Sequence, residues 1–385
     1  MKDKISLYVH IPFCMSKCSY CSFISRCATK DEIEEYFKFL NVQIIAESAM
    51  VKDRTVATIY FGGGTPSFVD EKYIVQTMNT LRQYYNIDKD AEITIECNPC
   101  SVTIDKLKAY KRVGVNRISF GVQSLNDDCL KIIGRKHNRL IALDAIKTAQ
   151  KVGFVNISAD LLIGIPNQTQ NMLIKDIKTL SNLGIKHISA YMLMLEKGTK
   201  LYEQVFIDNT LNVANDEECV NMYNCAYSLL KQLNFKRYEI SNFAISGYEC
   251  KHNINYWDMG EYLGFGVAAH SYINGYRIEG FNRFDDYYKF VREKYILRMR
   301  PSVMTKSEKL SNEQKIEEYI MLSLRQTKGI NLHTLKDLGY DLINEKSDTI
   351  NTLKRHQIID YNKDNLYITE SNFGASNQII LELLP

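Results

Sequence analysis

Between residues 6 and 195 this chain alternates short β-type runs with longer amphipathic stretches six times, and few folds accept that pattern. The β-type runs fall at 6–11, 57–62, 92–98, 117–123, 155–163 and 187–195. The clearest helical patterns fall at 31–51, 71–84 and 169–182. Strands separated by crossovers of this length pair in parallel, because a parallel neighbour cannot be reached through a tight turn. Several runs are apolar almost throughout, as strands covered by helices are. A doubly wound sheet fits the alternation as well. Six units with polar residues at successive strand ends fit an α/β partial (β/α)6 TIM-like barrel better.

Past residue 200 the alternation fades. A helix over 216–233 leads into 238–243 and then a loop rich in Asn, Gly and aromatic residues. A polar stretch over 302–308 reads as a linker. Beyond it, three helices (313–325, 331–338, 343–355), two short strands within 358–369 and a closing helix near 378–384 predict a small winged-helix-like C-terminal domain. The expected division is 1–235 for the barrel, 236–300 for an aromatic and Gly-rich extension, and 301–385 for the C-terminal domain. Winged helices often bind DNA, but helix 343–355 carries few basic residues, and a net charge of +3 points to no nucleic-acid partner. No apolar run is long enough to span a bilayer, and Met1–Asp3 and the residues that follow lack a secretory apolar core. The expectation is a cytoplasmic protein without a transmembrane segment, with peripheral membrane contact left open.

Ten cysteines in a reducing compartment call for packing or a metal rather than disulfides. Cys97, Cys100, Cys129, Cys219, Cys225 and Cys250 are scattered and read as core thiols. The Cys97-x-x-Cys100 spacing reads as a turn rather than a redox pair, because Pro99 ends a strand there. Cys14, Cys18 and Cys21 differ: they fall within eight residues on the loop after the first strand. A 4Fe-4S cube takes one thiolate per iron, so three ligands leave one iron open to a small molecule. The competing readings are a zinc site lacking its fourth ligand and three unrelated thiols.

This loop, from Tyr8 to Phe23, resembles that of the radical-SAM superfamily. The resemblance implies that S-adenosylmethionine (SAM) binds the open iron and that an electron from the reduced cluster cleaves a sulfur–carbon bond. It also implies that Tyr20 lies by the adenine, and that Gly63, Gly64 and Thr65 of the Gly-rich turn contact the amino group. By the same resemblance Tyr8, Glu96, Gln123, Arg135 and Asp160 are cofactor-binding. Singly, Glu96, Gln123, Arg135 and Asp160 would each read as a cap or an ion-pair partner, and the glycine turn as a plain strand–helix turn. Glu96, Gln123 and Asp160 do fall near the C-terminal ends of expected strands, where barrels place their chemistry.

Further motifs run in order along the chain: His10 to Cys14, Gly62 to Pro66, Phe120 to Ser124, Asp160 to Pro166, Tyr238 to Phe243 and His252 to Trp257. Together they resemble the oxygen-independent coproporphyrinogen III oxidase family and its close relatives, the HemW haem chaperones. In that family the oxidase has a further cysteine two positions past the third ligand, where this chain has Phe23. The oxidase also carries an N-terminal extension, whereas here the first strand begins almost at Met1. His252, Tyr256 and Trp257 match a motif associated with haem in the chaperones. Haem iron accepts imidazole, and aromatic faces suit the macrocycle, yet Trp257 could anchor a core and His252 could bond a carbonyl. His270 is a second haem or cofactor-pocket candidate, and His10 reads as a structural strand-end residue. The expected ligands are a 4Fe-4S cluster, SAM and haem. The expected partners are haem or porphyrin, a haem-acceptor protein and a reductant such as flavodoxin or ferredoxin. The function expected is a haem chaperone, the alternative being a porphyrin-decarboxylating enzyme, and which residues would be catalytic is left open.

Overall fold

The computed structural model describes residues 4–385, so Met1–Asp3, on which the reading of the leader partly rests, lie outside the described residues. Six strands, β1 (Lys4–Ile11), β2 (Thr55–Gly63), β3 (Asn86–Cys97), β4 (Arg117–Gln123), β5 (Asn156–Ile163) and β6 (His187–Met192), pair in parallel in chain order. Helices Lys30–Glu47, Glu71–Tyr84, Ile104–Arg112, Arg139–Val152 and Gln170–Asn182 link them. Each strand alternates. In β1, Ile5, Leu7, Val9 and Ile11 join the apolar core, while Ser6, Tyr8 and His10 face the concave side of the sheet. The fold is an open, partial (β/α)6 barrel.

The sheet continues on both flanks. Beyond β6 lie β7 (Lys236–Arg237) and β8 (Asn242–Ala244). Beyond β1 lie β9 (Tyr262–Phe265), β10 (Ser271–Ile273), β11 (Tyr276–Ile278) and β12 (Ser307–Lys309), giving the order β12-β11-β10-β9-β1-β2-β3-β4-β5-β6-β8-β7. Two expectations need correcting. Part of the polar stretch read as a linker is the edge strand β12, because its backbone pairs antiparallel with β11. Helix 343–355 is broken at Lys346 into Leu342–Glu345 and Ser347–Arg355.

The C-terminal part packs helices Asn312–Ser323, Leu332–Asp337, Ser347–Arg355 and Ser376–Leu383 against a three-stranded antiparallel sheet of β13 (Ile330–Asn331), β14 (Ile359–Tyr361) and β15 (Asn365–Ile368). It has a core of its own, including Ile320, Leu335, Leu366 and Phe373. It meets the barrel where Arg237 lies between the rings of Tyr227 and Phe373, at 4.2 and 4.1 Å, and where Lys328 pairs with Asp258 at 2.6 Å. Among the described residues no helix is long and apolar enough to cross a membrane.

Candidate functional site

The cysteine loop leaves the C-terminal end of β1 and is pinned along its length. Arg26 N–H donates to Pro12 O at 2.9 Å, and Cys14 N–H donates to Arg26 O at 3.0 Å, closing the loop on itself. Ser19 is held from outside: its N–H reaches Ile133 O at 3.1 Å, and its carbonyl accepts from Leu201 N–H at 2.8 Å. Thr65 N–H donates to Phe13 O at 2.9 Å and ties the glycine turn to the loop. Cys14, Cys18 and Cys21 are half-buried and unoxidised. Cys14 Sγ lies 3.4 Å from Thr65 Oγ1, and Arg135 Nη1 donates to Cys18 Sγ at 3.4 Å. Among the described residues no three His, Cys, Asp or Glu side chains converge on a point where one ion would sit. In a cube each thiolate holds a different iron, so its ligands need not converge on one point.

The glycine turn is built for close approach. Gly63 has φ +110, and a Cβ there would meet the His10 ring at 2.5 Å. A Cβ on Gly64 would meet Phe13 N at 2.8 Å. Gly63 N–H donates to Glu96 at 3.2 Å, and Tyr60 OH donates to the same carboxylate at 2.9 Å. Burial, and after it the charge of Asp160, pushes the Glu96 carboxyl up to about 7 despite those two donors. Burial likewise raises Asp160, which accepts from Ser119 Oγ at 3.2 Å. Gln123 holds φ +67 at the end of β4, a left-handed backbone that a non-glycine residue adopts at a cost. Arg135 Nη2 donates to Gly121 O, and its Nε is buried without a partner. Tyr20 packs beside Leu130 and Ile133 under the loop.

The structure therefore brings the cysteines, Tyr8, Tyr20, Gly63, Gly64, Thr65, Glu96, Gln123, Arg135 and Asp160 to the C-terminal end and concave side of the barrel. These residues fit a cluster with SAM: three half-buried thiols, a cradle that a Cβ would fill, an orphaned Arg135 Nε, and two buried carboxylates, Glu96 and Asp160, whose pKa values burial raises although Arg117 lies within electrostatic reach of both. The sulfonium of SAM is a fixed cation, and ionised Glu96 would favour it where protonated Glu96 would not. Affinity for SAM is therefore expected to rise as pH passes upward through the Glu96 value, several-fold between about pH 6 and about pH 8. Equilibrium binding of SAM beside its uncharged thioether, S-adenosylhomocysteine, checks this. An equally flat profile for both, or an unchanged slope in Glu96→Gln, would remove Glu96 from the cofactor's charge balance.

His252, Tyr256 and Trp257 lie elsewhere. They sit on a short helix, Lys251–Trp257, not in the irregular loop expected, and the helix packs on β2 and β3 through Thr58 and Glu92. His252 is 1% exposed, stacked on Tyr60 with centroids 4.9 Å apart. Its Nδ1 lies 2.7 Å from Thr58 Oγ1 and its Nε2 2.9 Å from Tyr256 OH, so neither nitrogen is open and neither bonds a carbonyl. Burial, and after it the Arg117 charge, lowers His252 to about 3 and keeps it neutral. Trp257 is half-buried with its indole N–H unpartnered. His270 is exposed at the rim of a cavity of about 340 Å³ that reaches the cofactor set only through Tyr8. His10 is buried, its Nδ1 3.0 Å from Tyr8 OH and its Nε2 3.2 Å from Ile24 O, which keeps it structural. Cys97, Cys129 and Cys250 are buried, Cys100, Cys219 and Cys225 half-buried, and Pro99–Ser101 forms a short 3-10 turn after β3.

Sequence reasoning missed the polar residues beneath the site. Glu92 on β3 accepts from the N–H groups of Lys251 at 3.2 Å and His252 at 3.1 Å. Arg117 on β4 is fully enclosed nearby, and His187 on β6 bonds Ser158 and Tyr238 at 2.8 Å each. Their shared signal is a polar or ionisable residue opening a β-type run that is otherwise largely apolar: Glu92, Arg117 and His187 each stand first in theirs.

Comparison with known proteins gives the family and the fold. Residues 8–180 match the Radical SAM superfamily, which implies a 4Fe-4S cluster and SAM. The chain is 32% identical over 376 residues to a haem chaperone HemW of Bacillus subtilis, covering 97% of each, and 36% identical over 271 residues to that of Escherichia coli, covering 70% of each. The solved structure of coproporphyrinogen III oxidase (HemN) from Escherichia coli, a radical SAM enzyme, superposes with a TM-score of 0.85 at 19% identity. It covers 100% of this chain and 90% of its own, a likeness of fold.

Proposed function

This chain belongs to the HemW family of the radical SAM superfamily, and from that premise we propose that it acts as a haem chaperone, binding haem and passing it to an acceptor protein. One observation carries the choice against the oxidase. The position two residues past the third cysteine, which the resemblance gives to cysteine in the oxidase, holds Phe23, 68% exposed on the loop and without a thiol to offer.

In this reading Cys14, Cys18 and Cys21 hold the cluster and the glycine turn, Glu96, Gln123, Arg135 and Asp160 hold SAM. When bound, the pair supplies a one-electron route to cleavage of a sulfur–carbon bond. The chain's own residues orient and enclose it. Arg135 lies against a cluster thiol, Glu96 ties the turn to β3, and Tyr8 and Tyr60 fill the space below. Residues 1–235 carry this centre, 236–300 supply His252 as haem ligand with Tyr256 and Trp257 beside it, and 301–385 buttress the helix that bears them. Phe23 and Met15, both exposed on the cluster loop, form the face on which a flavodoxin- or ferredoxin-like reductant docks. Ten free thiols suit a reducing compartment such as the cytoplasm.

Two measurements test the reading. Reconstituted protein given coproporphyrinogen III, SAM and a reductant is expected to yield no protoporphyrinogen while a known oxidase run beside it does. Product formation overturns the chaperone reading. In a haemin titration, His252→Ala is expected to bind at least about tenfold more weakly with its cluster intact. An unchanged titration removes His252 from the haem site.

A further inference from the structure

The nitrogen that a haem iron would need is covered by one group. Thr58 Oγ1 donates to Ser6 Oγ at 2.8 Å, so towards His252 Nδ1 it acts as acceptor and Nδ1 carries the ring proton. Nε2 then holds the lone pair and accepts from the Tyr256 hydroxyl. This is the tautomer a metal-ligating imidazole uses, with its other nitrogen donating to a fixed partner. The Tyr256 ring meets His252 edge-on at 4.9 Å on one side and Tyr262 edge-on at 4.6 Å on the other. Tyr256 and Tyr262, with Tyr8, Tyr272 and Leu322, also line the 340 Å³ cavity, whose rim carries His270 and the Arg277–Glu318 ion pair. A tyrosine-walled cavity of this size suits the edge of a planar conjugated ligand; Tyr256 lines it while bonding His252 Nε2, and Tyr8, its ring 6.4 Å from that of His252, lines it alongside.

We propose that this cavity is where haem docks and that Tyr256 is its gate, holding His252 Nε2 in a closed state and swinging aside to release it to the iron. The proposal rests on His252 as the haem ligand. A site that must open first binds more weakly by the fraction of chains already open, so weakening the closed state strengthens binding. Tyr256→Phe keeps the ring and removes only the hydroxyl. In the free chain it leaves Nε2 a buried acceptor without a partner, a loss that iron then makes good.

Haemin titration of the full reconstituted chain, followed by Soret absorbance, tests this, with the paramagnetic signal of the cluster as the check on folding. Tyr256→Phe is expected to bind haemin roughly two- to tenfold more tightly, with faster association. Leu322→Trp, which fills the cavity from the C-terminal part without touching His252, is expected to weaken binding at least about tenfold. Equal or weaker binding by Tyr256→Phe, cluster intact, overturns the gate, and unchanged binding by Leu322→Trp overturns the cavity as the docking place. Should Tyr256→Phe lose its cluster, Tyr256→Leu is read on the same scale. His252→Ala separates the two levels. Normal haemin binding by that variant sinks the ligand assignment itself, whereas loss of binding there with Tyr256→Phe unchanged sinks only the gate.

Discussion

Replacing Cys18 with alanine is expected to abolish the brown colour and the low-temperature paramagnetic signal of the reduced cluster, with iron falling to background, and the same holds for Cys14 and Cys21. A cube that already spends one iron on an outside ligand has no thiolate in reserve, so removing one of three leaves two irons unheld. Two further thiols lie near the loop but outside its three-cysteine spacing: Cys100 is half-buried close to Cys18 and Arg135, and Cys27 is exposed and donates its thiol to Met15 O at 3.4 Å. Cys27→Ala is therefore the matched control and is expected to keep a full signal. The loop itself should survive, because its anchors are backbone contacts of Cys14, Ser19 and Arg26 and not the thiols. A normal signal in Cys18→Ala would undo the ligand assignment, and loss of signal in Cys27→Ala would add a ligand to it.

That the cluster loop could be read from sequence and the lower end of the barrel could not has a physical reason. The cysteines, the glycine turn and the six strands are written locally: spacing, a backbone that tolerates no Cβ, and a two-residue alternation each leave a mark within a dozen positions. Helix Lys251–Trp257 leaves none. It has no side-chain cap of its own, and the acceptor for its first N–H groups is Glu92, 160 residues away. A seven-residue helix satisfied from another strand is invisible to any window of sequence. The edge strand β12 was hidden for a related cause, since Ser307–Lys309 is polar and exposed and is a strand only because β11 offers it backbone groups. The resemblance pointed to His252, Tyr256 and Trp257, but only coordinates could reveal that both nitrogens of His252 are already bonded.

The same distant contact carries the largest expected effect on stability. Glu92→Ala is expected to cost about 3–5 kcal/mol, because it strips a buried carboxylate within electrostatic reach of Arg117 and two charge-assisted bonds to helix N–H groups at once. Glu92 and Arg117 are 6% and 2% exposed, and among the described residues no salt bridge within 4 Å joins Arg117 to any carboxylate, Glu92 included. Glu92 is among the charges acting on the Arg117 guanidinium, whose Nε is already without a hydrogen bond. Removing the carboxylate takes away one of the charges that offset that cation, leaving the rest to Glu96 and Asp160, in a low-dielectric interior where a poorly compensated charge costs more than a missing contact. The signature separating this from simple loss of packing is a second substitution. Arg117→Met in the Glu92→Ala background should recover part of the loss, since the poorly compensated charge goes with it, whereas two unrelated packing defects would add. Trp257, the single tryptophan, stands on the helix that Glu92 holds, so its emission during chemical denaturation reports this region directly. If Glu92→Ala unfolds with the wild-type midpoint and unshifted Trp257 emission, the helix is not held from β3. If the double variant is less stable than the single, Arg117 is a packing group whose charge is satisfied elsewhere.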